Sequence, residues 1–209
     1  MASPTARSAP QKKKPSKRLR TTFIVLLRGI NVGGHKSVPM KALRALAEKL
    51  GFGRVETYIQ SGNMVFVAEL KREAVEAALE RALRAEFGFD VAVVARTEAE
   101  WRAYAQKSPF REAEQTHPHL LLLGLAKRPA QSGAASKLAA YAKAGERVRV
   151  VNDALWIDFP AGIARSKLSP AVLDRALGSP VTARNWRTLQ KLAAMAAAVS
   201  ELEKADQPP

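Results

Sequence analysis

The chain has 209 residues, no cysteine and a formal net charge of +15 at pH 7. This length fits one large domain or two small ones, and 47% hydrophobic residues are enough for a sizeable core. The lack of cysteine excludes disulfides and thiolate sites, and no apolar run approaches the roughly 20 residues of a membrane helix. We therefore expect a soluble, cytoplasmic protein without a membrane partner.

The positive charge is concentrated at the N-terminus. Residues 1–20 contain seven lysines and arginines and no acid, which leaves +8 for residues 21–209. This composition predicts a disordered basic arm, and the arm has no apolar segment of the kind found in signal peptides. The simplest interpretation is a solubilising extension, and the alternatives are a non-specific contact with nucleic acid or an address signal.

The segments after the arm predict an α+β chain. Thr21–Arg28 is a continuous apolar run typical of a central strand, and a glycine-rich loop (29–38) leads into a helix that begins at Pro39. Then follow strands at Val55–Gln60 and Met64–Ala68 with a tight turn at Ser61-Gly62, a helix at Lys71–Phe87, a strand at Val91–Ala95 and a short helix with a capping box of Thr97 and Glu100.

The same order repeats in the second half. The predicted elements are a strand at Leu120–Leu125, a helix at Ala130–Ala144, a hairpin of Arg147–Val151 and Leu155–Phe159, a helix after Ser169-Pro170, a strand at Val181–Arg184 and a last helix capped by Asn185. This order predicts two ferredoxin-like (βαββαβ) subdomains in tandem, each followed by a helix. The predicted parts are the basic arm (1–20), the first subdomain (21–107), a linker (108–118), the second subdomain (119–199) and a C-terminal tail (200–209).

Polar residues gather in loops that this fold brings together. With strand order 4-1-3-2, the loop Arg28–Lys36 and the hairpin Gln60–Asn63 lie at the same end of the first sheet. The second half carries Arg165–Lys167 and Arg184-Asn185 at one end of its own sheet, and a basic, amide-rich cleft forms if the two ends meet. The candidate ligand-binding residues are Arg28, Gly29, Asn31, Gly33, Gly34, Lys36, Gln60, Ser61, Asn63, Arg165, Ser166, Lys167, Arg184 and Asn185.

The chemistry of these loops favours an anion. Glycines let backbone N–H groups approach a ligand, a helix N-terminus adds partial positive charge, and arginine and lysine add charged hydrogen bonds. The loop is neither a Walker loop nor the dinucleotide fingerprint. We predict a small anionic ligand, phosphate-bearing or a nucleotide. The alternative is that the glycines only form turns and that the cations are solvated.

The histidines and Asp158 give weaker indications of a functional site than the two polar loops. His117 and His119 form a pair of the zinc-binding kind without a third ligand, and His35 has no neighbouring carboxylate to orient it as an acid or base. Asp158, between Ile157 and Phe159, is expected to be a solvated strand residue. The sequence identifies no metal site, no cofactor and no catalytic residue.

Four motifs in the same order carry a family resemblance: Leu27–Gly34, Thr57–Asn63, Asp158–Leu168, and Arg184–Trp186 with Lys191-Leu192. They resemble the bacterial family catalogued as domain of unknown function 1697, over about residues 22 to 199. The resemblance implies two ferredoxin-like subdomains and neither an activity nor a cofactor, and the basic arm is no part of it. Two alternatives to the anion-binding function stay open: a nucleic-acid-binding protein that uses the arm and the basic body, and an enzyme that acts on a phosphorylated metabolite.

Overall fold

The computed structural model describes residues 20–206, so the predicted basic arm, apart from Arg20, lies outside the described residues. Within this range the chain forms two four-stranded antiparallel sheets and seven α-helices. The predicted α+β class is confirmed. None of the helices in the described range is both long and apolar enough to cross a membrane.

The first sheet belongs to the first half of the chain. Its elements are β1 (Thr21–Leu27), α1 (Met40–Lys49), β2 (Gly53–Tyr58), β3 (Asn63–Ala68), α2 (Arg72–Phe87), β4 (Val93–Thr97) and α3 (Glu98–Gln106). The strands lie in the order β2-β3-β1-β4, and every neighbouring pair is antiparallel. The predicted capping box of Thr97 and Glu100 is present at the start of α3.

The second sheet follows a short helix, α4 (Arg111–Thr116). Its half contains β5 (Leu121–Ala126), α5 (Ala134–Ala139), β6 (Arg147–Val151), β7 (Ala154–Asp158), α6 (Pro170–Leu177), β8 (Val181–Asn185) and α7 (Trp186–Ala205). The strand order is β6-β7-β5-β8, again with antiparallel neighbours. Each half thus places its first and third strands at the centre of its sheet.

Apolar side chains fill three layers around the sheets. Helices α1 and α2 cover the outer face of the first sheet, and α5 and α6 cover the outer face of the second. The inner faces of both sheets share one cluster with α3, α4 and α7, in which Trp101, Trp156 and Trp186 are buried. Because both faces of each sheet are covered, the central strands are continuous apolar runs.

Helix α7 connects the two halves by packing. Its first turn is capped by Asn185, whose Oδ1 accepts from the Thr188 N–H at 2.9 Å. Although α7 follows the second sheet in the chain, it lies against β1 and β3 of the first sheet as well as against β5 and β8. Leu189, Leu192 and Ala196 are buried in the shared cluster, so the halves are joined by a common core.

Four segments differ from the sequence prediction. The predicted C-terminal tail (200–209) belongs to α7 up to Ala205. The hairpin between β2 and β3 turns through four residues, 59–62, because Tyr58 pairs with Asn63; the predicted tight turn at Ser61-Gly62 is wrong. Helix α5 covers Ala134–Ala139 and not Ala130–Ala144, since Gly133 takes a left-handed conformation at its start. Residues 108–118, predicted as a linker, contain α4 and bury Ala113 in the shared core.

Candidate functional site

The loop after β1 is folded onto itself by Asn31. The Asn31 Oδ1 accepts from the Val38 N–H at 2.8 Å, and its Nδ2 donates to the Val38 carbonyl at 3.0 Å. The same Nδ2 donates to the Gln60 carbonyl at 2.8 Å, which fixes this loop against the β2–β3 hairpin. The predicted proximity of the two polar loops is therefore observed, and the Asn31 amide is occupied with backbone groups that hold them together.

Glycines shape both loops. Gly29, Gly33 and Gly34 have φ angles of +65°, +57° and +77°, which side chains with a Cβ rarely adopt. Gly62 has φ +78°, and a Cβ there would lie 2.5 Å from the Ile30 Cδ1. The first three glycines let the exposed loop turn, whereas Gly62 also permits a close contact between the hairpin and the loop.

Arg184 crosses from the second half into the polar end of the first sheet. Its Nε donates to the Asn63 Oδ1 at 2.5 Å, and its Nη2 donates to the carbonyls of Leu27 at 3.0 Å and Ser61 at 2.7 Å. The residue is only 8% exposed, and burial lowers the pKa of its guanidinium to about 10. Its Nη1 donates to the Thr182 Oγ1 at 2.9 Å within the second half. The guanidinium is therefore held by its own half through Nη1 and joins the first half through Nε and Nη2.

A second arginine makes the equivalent contact in the opposite direction. Arg96 is the fourth residue of β4 and precedes the N-cap of α3, as Arg184 is the fourth residue of β8 and precedes the N-cap of α7. Its Nη2 donates to the Ala126 carbonyl at the end of β5 at 3.0 Å, and its Nε donates to Asp153 in the β6–β7 turn at 3.1 Å. We call Arg96 and Arg184 with their acceptors the two arginine clasps.

Tyr104 extends the Arg96 clasp. Its hydroxyl donates to the Asp153 Oδ1 at 2.6 Å. Burial, followed by the hydrogen bond to Asp153, raises the pKa of the Tyr104 hydroxyl well above its usual value. The hydroxyl therefore stays protonated and acts as a donor that orients Asp153 toward Arg96.

Arg28, the charge at the end of β1, has a partner in the second half. Its Nη2 lies 2.7 Å from the Asp174 Oδ2 on α6, and the other oxygen of Asp174 accepts from the Val181 N–H at 2.8 Å. Lys127, which follows β5 as Arg28 follows β1, pairs with Glu80 on α2 at 2.5 Å. Glu80 in turn accepts from the Val93 N–H at 3.0 Å. The ion pairs beside the clasps therefore repeat from one half to the other.

The remaining predicted residues of the second half do not reach the first sheet in the same way. Arg165 and Lys167 are exposed, and neither lines the space between the halves. The Ser166 hydroxyl donates to Glu146, and this hydrogen bond lowers the pKa of the Glu146 carboxyl. Asn185 caps α7. Of the second-half set, Arg184 alone meets the polar end of the first sheet.

A cleft of about 730 Å³ lies between the halves beside the Arg28–Asp174 pair. Its first-half lip consists of Arg28, Gly29, Val32 and Lys36 with Asp90 and Ala92. The Lys36 ammonium donates to the Asp90 carbonyl at 2.7 Å and lies 6.0 Å from the centroid of the Phe89 ring. The second-half wall comes from the β7–α6 segment, α6 and β8. We call this space the interlobe cleft.

Sequence reasoning missed a buried carboxylate at the far end of the second sheet. Asp158, expected to be solvated, is 0% exposed, because α5 and α6 and the shared core cover both sheet faces. Its Oδ1 contacts the His117 Nε2 at 2.7 Å, and its Oδ2 accepts from the Arg147 Nε at 2.8 Å. The nearby Arg147 in the facing strand was a signal for this ion pair. Within residues 20–206 no group of three or more metal-ligating side chains is present.

Fold and site together define an α+β protein in which two sheets share a core and enclose a cleft between the halves. The model of the family described as protein of unknown function (DUF1697) matches residues 20–156. The chain belongs to this family, which confirms the prediction from the loop motifs.

Solved structures add information on the fold. A conserved bacterial protein from Streptococcus pneumoniae is 21% identical, with a TM-score of 0.67 over 85% of this chain and 99% of that chain. At this identity the similarity shows the fold alone. An unknown protein from Galdieria sulphuraria is 14% identical with a TM-score of 0.24, over 80% of this chain and 99% of that chain, and this score is too low for a structural comparison. No curated protein matches the chain.

Proposed function

We propose that the protein binds a small anionic ligand in the interlobe cleft. The observation that carries this proposal is the pair of cations on one lip, Arg28 and Lys36, beside a concave space of about 730 Å³. Binding pockets for small molecules typically have volumes of about 300–1,000 Å³ and a few well-placed polar groups. The cleft has both properties.

The residues that line the cleft include more cations than carboxylates, and Asp174, which pairs with Arg28, lies beside this lining. Three cations line it, Arg28, Lys36 and Arg184, against one carboxylate, Asp90, which is bound by Arg84 at 2.5 Å. Arg184 is occupied by the clasp, so Arg28 and Lys36 are the groups that reach a ligand. Arg28 uses one nitrogen on Asp174, and Lys36 uses one proton on a carbonyl, so both retain donors for charged hydrogen bonds to an anion.

A ligand screen with a matched pair of variants tests the proposal. Isothermal titration against sugar phosphates, nucleotides and carboxylates is expected to give binding that Lys36→Met weakens by about tenfold, the loss of one charged hydrogen bond. Lys41→Met is the control, because Lys41 is an exposed lysine on α1 that does not line the cleft. If no anion binds, or if both variants weaken binding equally, the cleft is not the site.

The salt dependence of the binding affinity distinguishes the nucleic-acid alternative from binding of a small anion. Phosphate-backbone contacts lose about 10³–10⁵ in affinity between roughly 50 and 200 mM salt when six to ten phosphates are neutralised. RNA or DNA binding that shows this dependence and is unaffected by Lys36→Met would assign the function to the basic surface. The predicted role of the N-terminal arm lies outside the described residues and is tested by deleting residues 1–19.

We infer further that each half is a ferredoxin-like unit and that the two units stand in tandem. The order of elements supports this inference, since each half runs strand–helix–strand–strand–helix–strand and is followed by a helix. The strand orders β2-β3-β1-β4 and β6-β7-β5-β8 support it as well. Superposition of residues 21–106 on residues 120–205 is the test, and strands that fail to superpose would overturn it.

A further inference from the structure

The wall of the interlobe cleft on the second half is built from hydrocarbon. Its side chains are Leu122, Phe159, Ile163, Leu168, Leu173 and Val181. Phe159, Leu168 and Leu173 belong to the core under the second sheet, and α6 holds Leu173 in place. The cleft thus has two sides of different character, a cationic lip from the first half and an apolar wall from the second.

The apolar surface continues to the mouth of the cleft. Val32 on the first-half lip is 65% exposed, and Ile163 on the second-half side is 47% exposed. A ligand that covers these large, exposed apolar side chains removes apolar area from water, which lowers the free energy of the complex. Both residues line the same cleft, so one bound molecule can cover both.

Two polar groups of the wall already accept hydrogen bonds from within the protein. The Thr182 hydroxyl accepts from the Arg184 Nη1 at 2.9 Å, and the Ala183 carbonyl accepts from the same nitrogen at 2.8 Å. A nucleobase or a sugar placed against this wall would find hydrocarbon opposite its hydrogen-bonding edges. Burying polar groups without partners is unfavourable, so the wall discriminates against nucleotides and sugar phosphates.

We propose that the ligand of the interlobe cleft is an amphiphilic anion, with a carboxylate or phosphate head at Arg28 and Lys36 and a hydrocarbon chain that covers the exposed side chains of Val32 and Ile163. The buried Phe159, Leu168 and Leu173 form the apolar floor beneath this chain. This inference rests on the proposed function and names the class of its ligand. The same chemistry occurs in free fatty acids or alkyl phosphates and in membrane lipids. The cleft accepts the free molecule, because its apolar wall lies between the halves and not on a flat outer surface.

A chain-length series tests the inference with the full-length protein. The probes are butyrate, hexanoate, octanoate and decanoate, kept below their micellar concentrations, with decanol and glucose 6-phosphate for comparison. Each methylene that enters the wall should increase affinity by about fourfold, as expected for a buried CH₂. Decanol should bind more weakly than decanoate, because it lacks the charge that Lys36 and Arg28 recognise.

Variants on exposed residues locate the chain without disturbing the core. Ile163→Ser is expected to reduce the affinity for decanoate several-fold and to leave butyrate unchanged, whereas Lys36→Met reduces the affinity for both. Leu202→Ser is the matched control, because Leu202 is 53% exposed on α7 and does not line the cleft. Hydrogen exchange should show protection of residues 159–170 by decanoate.

The outcomes separate this inference from the function on which it rests. If butyrate or glucose 6-phosphate binds with dependence on Lys36 and affinity does not rise with chain length, the anion site stands and the amphiphile is excluded. If no anion binds at all, both proposals fall. Binding to anionic phosphatidylglycerol vesicles without binding of monomeric decanoate would overturn the inference in favour of a surface that docks on bilayers.

Discussion

Replacing Arg184 by lysine should destabilise the protein more than replacing it by methionine. Lysine keeps the buried charge and loses the planar fork that binds Asn63, Leu27 and Ser61 at the same time. Ser61 is exposed, so water can replace its donor. The Asn63 Oδ1 and the Leu27 carbonyl belong to buried residues, and each unpaired buried acceptor costs about 1–3 kcal/mol.

The lysine ammonium is a single donor centre that cannot reach both acceptors, so Arg184→Lys leaves at least one of them unpaired, a loss of about 1–3 kcal/mol, and it keeps the desolvated charge. Arg184→Met leaves both acceptors unpaired, a loss of about 2–6 kcal/mol, but removes the desolvated charge. The lowering of the guanidinium pKa to about 10 by burial corresponds to about 3 kcal/mol of desolvation, which the neutral side chain avoids. Methionine also fills most of the space of the arginine stem, so its net effect should be the smaller one.

Thermal unfolding of the two variants at pH 7 measures the difference. About 2–4 °C per kcal/mol is typical for a chain of this size, so Arg184→Lys should lower Tm by about 2 °C or more. Arg187→Lys is the control, because Arg187 is exposed on α7. A Tm for Arg184→Lys within about 1 °C of the wild type would refute the view of Arg184 as a clasp between the halves. A Tm for Arg184→Lys above that of Arg184→Met would refute the desolvation argument for their order.

Three further predictions concern single positions. Gly62→Ala should destabilise the protein by about 2–4 kcal/mol, because the new Cβ would lie 2.5 Å from Ile30 and the residue has a left-handed φ. Gly34→Ala should cost only the conformational part, about 1–2 kcal/mol, because a Cβ there would have no atom within 4 Å. Equal losses of the two variants in urea unfolding would contradict the contact between Gly62 and Ile30. Glu76 is a buried residue of α2 whose Oε1 accepts from the Ala95 N–H at 2.8 Å. Burial raises the pKa of its carboxyl, so the stability from the protonated form is complete below pH 4.5 and is lost as the pH rises through the folded pKa. Glu76→Gln should therefore raise Tm at pH 7 and have no such effect at pH 4, and a gain that is the same at both pH values would exclude ionisation as its cause. Asp174→Asn should strengthen anion binding several-fold, as measured by calorimetry. The substitution removes the charge that pairs with Arg28, while the amide oxygen of the asparagine can still accept from the Val181 N–H. Weaker binding would show that the Arg28–Asp174 pair itself forms the site.

The elements of the fold were largely predictable because each carries a local signal. The capping residues Thr97, Ser169 and Asn185 all cap helices as expected, and the turn at Asn152-Asp153 joins β6 to β7. Helix α4 was missed because its six residues are polar apart from Ala113, and its place is set by tertiary packing. The length of α5 was overestimated because the alanines after Gly133 favour a helix as far as Ala144, whereas the helix begins only after Gly133 and ends at Ala139.

The site was predicted less completely, since its residue types are visible in the sequence and their partners are not. The proximity of Asn31 and Gln60 followed from strand order. That Arg184 is a buried clasp depends on how the second half packs, which no local pattern contains. One signal was available, the parallel between Ala95-Arg96-Thr97 and Ala183-Arg184-Asn185, in which an arginine occurs at the same place in both repeats.

The two arginine clasps give the interface between the halves an isologous character, like that of a twofold-symmetric homodimer. In such a homodimer every substitution appears twice, so a change that opens a binding site at one end of the interface also opens it at the other. Here the halves are covalently continuous, and each end can change alone. One end carries the glycine loop, the Arg28–Asp174 pair and the interlobe cleft, and the other carries the Lys127–Glu80 pair with a shorter connection between β5 and α5. The chain thus retains both arginine clasps between its halves, while the cleft is formed at one end of the interface.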